Sequence, residues 1–359
     1  MTRTPRLALL LLALALRAEA ADPAEGLVGA SDFRFRYEGR IDSRDPAGPV
    51  LIWQGTRVAI EFEGPVLALW FKHANGQNFF DASVDGRTWI AAVPEGGPVR
   101  VPCPWTLLPG RHRLSLHKRQ EAAAGYVQFS GIEIAPGARS WRPPAPVYAI
   151  AMEFIGDSIS AGACNEDGAE DQWENRSTHD SELSYAALTA AAFHADYRNI
   201  SVSGMGVVEG WVKPHLGQIW DRLYPSADSP ATDLKEWTPD VVFVEIGDND
   251  DSYTRRHNEG FPLLFTEKLT EVIRSIRKAR PQAQIILVRG GMKGGFDSAP
   301  LKASWDAAAA QLEAGDPRIH HYFIQHWSVT HPRVADDRAM ADELVTWLRG
   351  QAFMPRSDS

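Results

Sequence analysis

Hydrophobic and polar positions divide the chain into two parts with different rhythms. From about residue 33 to 136, short apolar runs, several alternating with polar residues, are separated by turn signals such as Asp85-Gly86. No helical period competes with them, so residues 32–136 are predicted to form an all-β sandwich of the jelly-roll type. The runs that predict its strands lie at 33–37, 58–62, 66–71, 79–84, 89–93, 112–117, 126–129 and 132–134.

The second part of the chain alternates strand-like runs with helical stretches. A proline-rich segment at 137–147 precedes it and is predicted to be a linker, because proline supports neither a helix nor a strand ladder. Alternation through residues 148–350 predicts βαβ units, and therefore a parallel sheet with helices on both faces. Strands are predicted near 148–155, 197–203, 241–246, 284–289 and 319–325, and helices near 183–194, 262–280, 301–314 and 333–349.

The first 20 residues have the pattern of a secretory signal peptide. Arg3 and Arg6 precede an apolar run at 7–16, and Ala18-Glu19-Ala20 is a small-x-small cleavage site. The apolar run is too short to span a bilayer, and nothing later in the chain is apolar enough to do so. The sequence therefore predicts a secreted or periplasmic protein.

Composition and net charge indicate which classes of binding partner suit this protein. A hydrophobic content of 44% with 23% charged residues is typical of a globular protein and excludes wholesale disorder. A formal net charge of −9 disfavours nucleic acid and anionic membranes, and a neutral polysaccharide or small ester suits the chain better. The two cysteines, Cys103 and Cys164, fall in different predicted domains, so one disulfide or two buried free thiols both remain open.

Four residues that could take part in catalysis follow the predicted strands of the second part. Ser158 ends the stretch Gly156-Asp157-Ser158, and Gly204, Asn249 and His331 come after later strands. The carboxyl ends of parallel strands share one edge of a sheet, so these residues are predicted to converge. Serine and histidine supply a nucleophile and its base, and Gly204 and Asn249 supply donors for an oxyanion. For the first stretch alone, helix capping by Asp157 and Ser158 is an equal alternative.

These four residues, in this order and each in its own block, resemble those of the SGNH (GDSL-type) hydrolases over residues 148–350. The resemblance implies a flavodoxin-like three-layer α/β/α fold and hydrolysis of esters without a cofactor. It implies that Ser158 is the nucleophile and His331 the general base. It also implies that the Ser158 N–H, the Gly204 N–H and the Asn249 amide form the oxyanion hole.

The preceding sandwich, through residues 37–40 (YEGR) and 53–56 (WQGT), is similar to the N-terminal domain of family 2 carbohydrate esterases. That similarity implies a secreted enzyme that removes acetyl groups from a polysaccharide or oligosaccharide of the acetylxylan or glucomannan type. We expect a monomer. Two other functions stay open, a non-catalytic glycan-binding protein and a broader GDSL lipase or thioesterase.

Two positions depart from the pattern of the resembled family. Asp248 stands where that family usually has threonine, and Ser328 stands three residues before His331, where it has an aspartate. The second departure predicts a Ser-His dyad, in which a backbone carbonyl or the Ser328 hydroxyl orients the imidazole. Asp157 and Asp250 are predicted to be structural hydrogen-bond formers.

Aromatic and titratable residues near the predicted rim complete the candidates. An aromatic face stacks well on a sugar ring, so some of the tryptophans near rim loops are candidates for substrate binding. Adjacent histidines at 320 and 321 on a strand point to opposite faces, so no metal site is expected there or elsewhere. The acidic run at 165–171 is predicted to be a solvated loop rather than a calcium site. The candidate tryptophans are Trp173, Trp211, Trp305 and Trp327.

Overall fold

The computed structural model describes residues 26–355, and the predicted signal peptide lies outside them. The first part contains two six-stranded antiparallel sheets, with strand orders β3-β4-β11-β6-β9 and β12-β5-β10-β7-β8. Strand β1 joins the first sheet beside β11, and β2 joins the second beside β5. The strands are β1 Leu27–Gly29, β2 Arg36–Glu38, β3 Ile41–Asp42, β4 Val50–Leu51, β5 Arg57–Glu63, β6 Leu67–Gly76, β7 Asn78–Val84, β8 Arg87–Val93, β9 Val99–Pro102, β10 Arg111–Lys118, β11 Gly125–Ile134 and β12 Ser140–Trp141.

Alternation of side chains explains why the two sheets pack face to face. Along β7 every second residue is buried, as expected for a strand with one face on a core. The buried faces meet around Phe71, Phe80 and Phe129, with the ring of Phe71 5.7 Å from each of the other two. The predicted β-sandwich is therefore confirmed.

The second part is a five-stranded parallel sheet with the order β14-β13-β15-β16-β17. This is the flavodoxin-like order, in which the chain reverses direction next to the first strand. The strands are β13 Ile150–Gly156, β14 Ala195–Ser201, β15 Val241–Glu245, β16 Gln284–Met292 and β17 Ile319–Ser328.

Helices cover both faces of this sheet and complete the predicted three layers. Apolar residues of α2 and α8 pack in the core on one face, and those of α5 and α7 pack in the core on the other. Within residues 26–355, no helix combines the length and the apolar composition that crossing a membrane requires. The α-helices are α1 Ser158–Ala161, α2 Tyr185–Ala192, α3 Leu216–Ile219, α4 Asp248–Arg256, α5 Phe265–Ala279, α6 Lys293–Asp297, α7 Ala299–Gly315 and α8 Val334–Arg349, and short 3₁₀ helices span Arg176–Thr178 and Ser181–Leu183.

Several short elements were not predicted, and two local differences bear on the site and on the linker. Helix α4 was not predicted, although three aspartates in its first turn and two arginines in its last turn complement the helix dipole. Strand β12 lies inside the predicted linker and pairs with β5. Ser140 and Trp141 precede the prolines of that segment, so their N–H groups remain available for the ladder.

Buried polar contacts join the sandwich to the parallel sheet. Arg40 donates to Glu153 on β13 at 3.0 Å, and both side chains are buried. Gln54 donates to the Asn199 side chain at 3.1 Å and to the Ser201 carbonyl at 2.9 Å on β14. Because these bonds satisfy buried polar groups across the junction, the two parts support each other's fold.

Candidate active site

A tight turn after β13 places Ser158 at the carboxyl edge of the sheet. A Cβ on Gly156 would lie 2.6 Å from the Ser160 hydroxyl oxygen and 2.7 Å from the Glu245 carbonyl oxygen, so only glycine fits. Asp157 is the N-cap of α1 and accepts a hydrogen bond from the Ile159 N–H at 3.0 Å. Asp157 therefore caps the helix, and the Ser158 hydroxyl is not needed for capping.

The Ser158 hydroxyl belongs to a continuous hydrogen-bond network with the side chains of His331 and Asp171. Its Oγ lies 2.9 Å from Nε2 of His331, which stands in the loop between β17 and α8. Nδ1 of His331 lies 2.7 Å from Oδ2 of Asp171. With the proton on Nδ1 donated to the carboxylate, Nε2 is free to accept the serine proton, as a catalytic triad requires.

The prediction of a Ser-His dyad is therefore wrong. The Ser328 hydroxyl donates to the carbonyls of Thr330 and Gly291 and does not contact the imidazole. The acid comes instead from the acidic run at 165–171, whose prediction as a solvated loop is wrong at Asp171. That loop folds back against the His331 loop, a long-range contact that residue spacing does not encode.

Arg333 fixes this acid in place. Its Nη1 donates to Oδ1 of Asp171 at 2.9 Å and to the carbonyls of His331 and Cys164 at 2.9 and 3.0 Å. Burial by itself raises the pKa of Asp171, but the hydrogen bond and charge of His331 and the hydrogen bond from Arg333 outweigh it. The pKa of Asp171 is lowered overall, so the carboxylate is ionised and ready to stabilise an imidazolium.

The predicted oxyanion donors lie beside the nucleophile. Gly204 has φ of +81° and, with Asn249 and Ser158, lines one cavity. Within residues 26–355, no carbonyl or side chain accepts a hydrogen bond from the N–H of Ser158 or Gly204. Nδ2 of Asn249 lies 2.8 Å from Oδ2 of Asp157 and 3.0 Å from the Met205 carbonyl. Both hydrogens of this amide are thus already donated, so Asn249 must release one of these acceptors to reach an oxyanion, and the joint action of the three groups remains a prediction.

Asp250 holds the loop that follows Gly204. Its carboxylate accepts hydrogen bonds from the N–H groups of Val207, Val208 and Glu209 at 2.8–2.9 Å. Together with the capping and Asn249 contacts of Asp157, this shows that both aspartates have the structural role predicted for them.

Several carboxyl groups are buried behind the nucleophile. Burial raises the pKa of Asp157 to about 6. Burial, reinforced by repulsion from Asp157, raises the pKa of Glu245 and of Asp248 well above the ordinary range. Burial thus favours the neutral form of Glu245 and Asp248 more strongly than that of Asp157.

A cleft of about 480 Å³ opens above the Ser158 hydroxyl. Two predicted tryptophans line it: Trp173 presents its ring edge-on to His331, with centroids 5.0 Å apart, and Trp211 is half exposed. Sequence reasoning did not place the other residues that line the cleft, which include both polar and apolar groups. They are Arg176, Ser203, Val212, Asp248, Ser252, Arg255, Met292, Gly294 and Gly295.

The other two candidate tryptophans do not reach the cleft. Trp305 is 1% exposed and belongs to the core between the sheet and α5 and α7. Trp327 is exposed, but it packs near Phe296 and under the Lys293 ammonium group, outside the cleft. Both were predicted from proximity to rim loops, which says nothing about side-chain direction.

Ser252 and Arg255 were missed because they depend on α4. They lie three and six residues after Asn249. Only a helix brings residues three and four apart onto one face, so recognising α4 from its charge pattern would have placed them at the cleft.

The two cysteines are not bonded to each other, and the three histidines on β17 each contact a different residue. Cys103 and Cys164 are both free thiols. His320, His321 and His326 contact Gln284, Glu313 and Asp336, respectively, rather than one another.

Two protein-family models match this chain, one over each domain. The model of the GDSL-like lipase/acylhydrolase family matches residues 154–346, more than half of the chain. With a serine, histidine and aspartate joined at the edge of a flavodoxin-like sheet, the chain belongs to that family of carboxylic ester hydrolases. Residues 37–144 match the model of the carbohydrate esterase 2 N-terminal domain, so the two domains together are those of the family 2 carbohydrate esterases. The predicted resemblance is confirmed.

Individual relatives agree with this assignment. The cellulase/esterase CelE of Acetivibrio thermocellus is 29% identical over 328 residues, which are 88% of this chain and 39% of CelE. An acetylxylan esterase / glucomannan deacetylase of Cellvibrio japonicus is 27% identical, with 87% of this chain and 89% of that protein covered. A solved family two carbohydrate esterase from Clostridium thermocellum, in complex with cellohexaose, is 27% identical with a TM-score of 0.77, covering 88% of this chain and 98% of that one.

Proposed function

We propose that this protein removes O-acetyl groups from a polysaccharide of the acetylxylan or glucomannan type. The single observation that carries the proposal is the Asp171–His331–Ser158 chain, with contacts of 2.7 and 2.9 Å, at the floor of an open cleft. Acetylxylan esterase and glucomannan deacetylase are the activities in the name of the Cellvibrio japonicus relative.

The first half of the reaction forms an acetyl-enzyme. Nε2 of His331 takes the proton of the Ser158 hydroxyl as Oγ attacks the acetyl carbonyl carbon. The carbonyl oxygen becomes an oxyanion, for which the Ser158 and Gly204 N–H groups and the Asn249 amide are the donors. His331 then gives its proton to the departing sugar oxygen, so the sugar hydroxyl leaves neutral.

The second half returns the enzyme to its starting state. A water molecule attacks the acetyl-enzyme while His331 takes one of its protons, and that proton then passes to Ser158 Oγ as acetic acid leaves and ionises in solution. In both halves the imidazolium carries its charge next to the ionised Asp171, which stabilises it.

The walls of the cleft offer contacts that a sugar chain can use. Trp173 and Trp211 offer aromatic faces and edges, and Arg176, Ser252 and Arg255 offer hydrogen-bond donors. Apolar groups also line the cleft, among them Val212 and Met292, so the acyl-length series below is what separates the carbohydrate esterase from the broader lipase or thioesterase.

The predicted export signal at 1–20 supports a secreted or periplasmic location, where plant polysaccharides are met. Immunoblotting of culture medium, periplasm and cytoplasm from cells that express the full-length chain tests this. Full-length protein found only in the cytoplasm would contradict it.

The activity is tested by measuring acetate release from acetylated xylan and acetylated glucomannan by the wild type and by Ser158→Ala. We expect release by the wild type and none by the variant. A series of 4-nitrophenyl esters of increasing acyl length should show turnover that falls steeply beyond acetate. Equal turnover of long-chain esters would favour a lipase.

Binding of a glucan without hydrolysis is a second candidate, favoured by the cellohexaose held in the solved relative. Affinity electrophoresis of Ser158→Ala in soluble β-glucan separates the two. Retardation together with no acetate release by the wild type would make this protein a glycan binder.

A further inference from the structure

The loop that carries Asp171 brings three metal-ligating side chains together outside the lining of the cleft. Cys164 Sγ, a carboxylate oxygen of Asp167 and a ring nitrogen of His179 all lie within 4.8 Å of one another. Cys164 and His179 are buried, at 0% and 1% exposure. None of the three belongs to the triad, so the catalytic mechanism does not account for them.

The spacing of the atoms in this cluster matches a metal centre. Cys164 Sγ lies 3.5 Å from Nε2 of His179. The carbonyl oxygen of Gln172 lies 3.6 Å from that sulfur and 3.2 Å from that nitrogen. Tetrahedral zinc, with bonds of about 2.3 Å to sulfur and about 2.0–2.2 Å to nitrogen and oxygen, places its ligands roughly 3.3–3.7 Å apart. The three atoms thus already form one face of such a tetrahedron.

Asp167 can offer a fourth ligand, with a carboxylate oxygen within 4.8 Å of the sulfur and of the imidazole nitrogen. Its Oδ2 accepts a hydrogen bond from the Gln172 N–H at 2.8 Å, while Oδ1 is buried and has no hydrogen-bond partner within residues 26–355. A buried carboxylate oxygen without a partner is costly, and a cation is one way to satisfy it. A thiolate and a carboxylate would together neutralise a divalent ion.

We propose that Cys164, Asp167, His179 and the Gln172 carbonyl bind a zinc ion. Binding deprotonates the thiol and moves the His179 proton to Nδ1, because Nε2 must offer its lone pair to the metal. Arg176, whose Nη1 lies 3.5 Å from Nδ1, then turns to Glu121, 3.4 Å away. Asp171 and Trp173 lie between ligands of this site along the chain, so the ion holds the loop that presents the catalytic acid.

A competing set shares Cys164. Its thiol, Asp171 and His331 also lie within 4.8 Å of one another. In that set Asp171 and His331 already bond to each other, and a metal held between them would replace that contact of the triad. Zinc in that position would inhibit, whereas zinc in the proposed position leaves the triad intact.

The test uses the full-length protein, stripped with a chelator and dialysed against zinc. Zinc content is measured by inductively coupled plasma mass spectrometry, and Co²⁺ in place of zinc is followed by absorption spectroscopy. We expect one equivalent of zinc, a cobalt–thiolate charge-transfer band and a higher Tm on zinc addition. Cys164→Ser and His179→Asn should lose the band and the Tm increase. The matched controls Cys103→Ser and His73→Asn should keep both.

Zinc retention below one equivalent, or a cobalt spectrum without the thiolate band, would overturn the proposal. So would undiminished binding by His179→Asn accompanied by inhibition of the wild type, because that result places the ion on the triad. Should a variant fail to fold by circular dichroism, X-ray absorption of the zinc-loaded wild type decides. One sulfur ligand with nitrogen and oxygen ligands is expected, and a shell without sulfur rejects the site.

Discussion

The carboxylate of Asp171 lies 2.7 Å from Nδ1 of His331, although 160 positions separate the two residues in the chain. In the resembled pattern the acid stands three residues before the histidine, and here that position is Ser328. The acid has been relocated to another loop, and its contact with the imidazole is preserved. A triad can therefore persist when its usual acid position is lost, because only the geometry at Nδ1 matters to the reaction.

Replacement of the relocated acid should slow the reaction without unfolding the protein. In Asp171→Asn the side-chain shape is kept but the charge that stabilises the imidazolium is lost. In serine proteases this change lowers kcat by about 10⁴, and we expect a loss of about 10²–10⁴ here, measured with 4-nitrophenyl acetate. Glu170→Gln, at an exposed site on the same loop, is the matched control and should behave as the wild type. Wild-type turnover by Asp171→Asn would show that this carboxylate is not needed and would favour a Ser-His dyad.

Introducing an aspartate at position 328 should not improve the enzyme. The Ser328 hydroxyl faces the carbonyls of Gly291 and Thr330, so a carboxylate in Ser328→Asp would face two oxygens rather than the imidazole. We expect a lower Tm by calorimetry and no rise in kcat. Rescue of Asp171→Asn by Ser328→Asp in the double variant would contradict the placement of that side chain.

Removing the Asn249 amide tests the oxyanion hole. One donor of this kind is worth about 10²–10³ in kcat, so Asn249→Ala should lose that much with little change in KM. The reason is that the negative charge develops only in the transition state. An increase in KM at constant kcat would instead assign Asn249 to substrate binding.

Trp211 should contribute to polysaccharide binding. Its ring is half exposed at the cleft, so Trp211→Ala should raise KM for acetylated xylan several-fold and leave 4-nitrophenyl acetate hydrolysis little changed. Trp327→Ala removes an exposed tryptophan outside the cleft and is the matched control. Equal effects of the two substitutions on xylan would argue against a sugar contact at Trp211.

Burial of Glu245 should make the stability of the protein depend on pH. Its pKa is raised in the folded protein by burial and by repulsion from Asp157, while in the unfolded chain it ionises near 4.5. The unfolded state therefore gains from ionisation as pH rises above that value, and the folded state loses relative stability. Glu245→Gln removes this pH-dependent loss of stability, so its Tm relative to the wild type should increase as the pH rises above about 4.5. The exposed Glu236→Gln should show no such trend.

The junction between the two domains should depend on Arg40. Its removal leaves Glu153 buried, with Arg280 as the remaining ion-pair partner at 3.6 Å. Breaking a buried pair in this way costs about 3–5 kcal/mol, so Arg40→Ala should lower the free energy of unfolding in urea by that amount. The exposed Arg142→Ala should change it by less than about 0.5 kcal/mol.

Local pattern was enough to predict most of the fold. Period-two alternation predicted the sandwich, and apolar runs alternating with helical stretches predicted the parallel sheet, because burial on one or two faces leaves a direct mark on the sequence. It was not enough for α4, whose residues are almost all polar and whose signal is charge placement rather than hydrophobic period.

The sequence by itself also determined which residues end the strands, and hence that Ser158, Gly204, Asn249 and His331 share one edge. Tertiary structure alone decided which acid serves His331, which tryptophans face the cleft, and that Cys164, Asp167 and His179 meet. Strand ends are fixed by the short-range geometry of βαβ units, whereas loop contacts depend on how separate segments fold back on one another. Asp171 reaches His331 because Arg333 ties the two loops together, and no spacing along the chain records that bond.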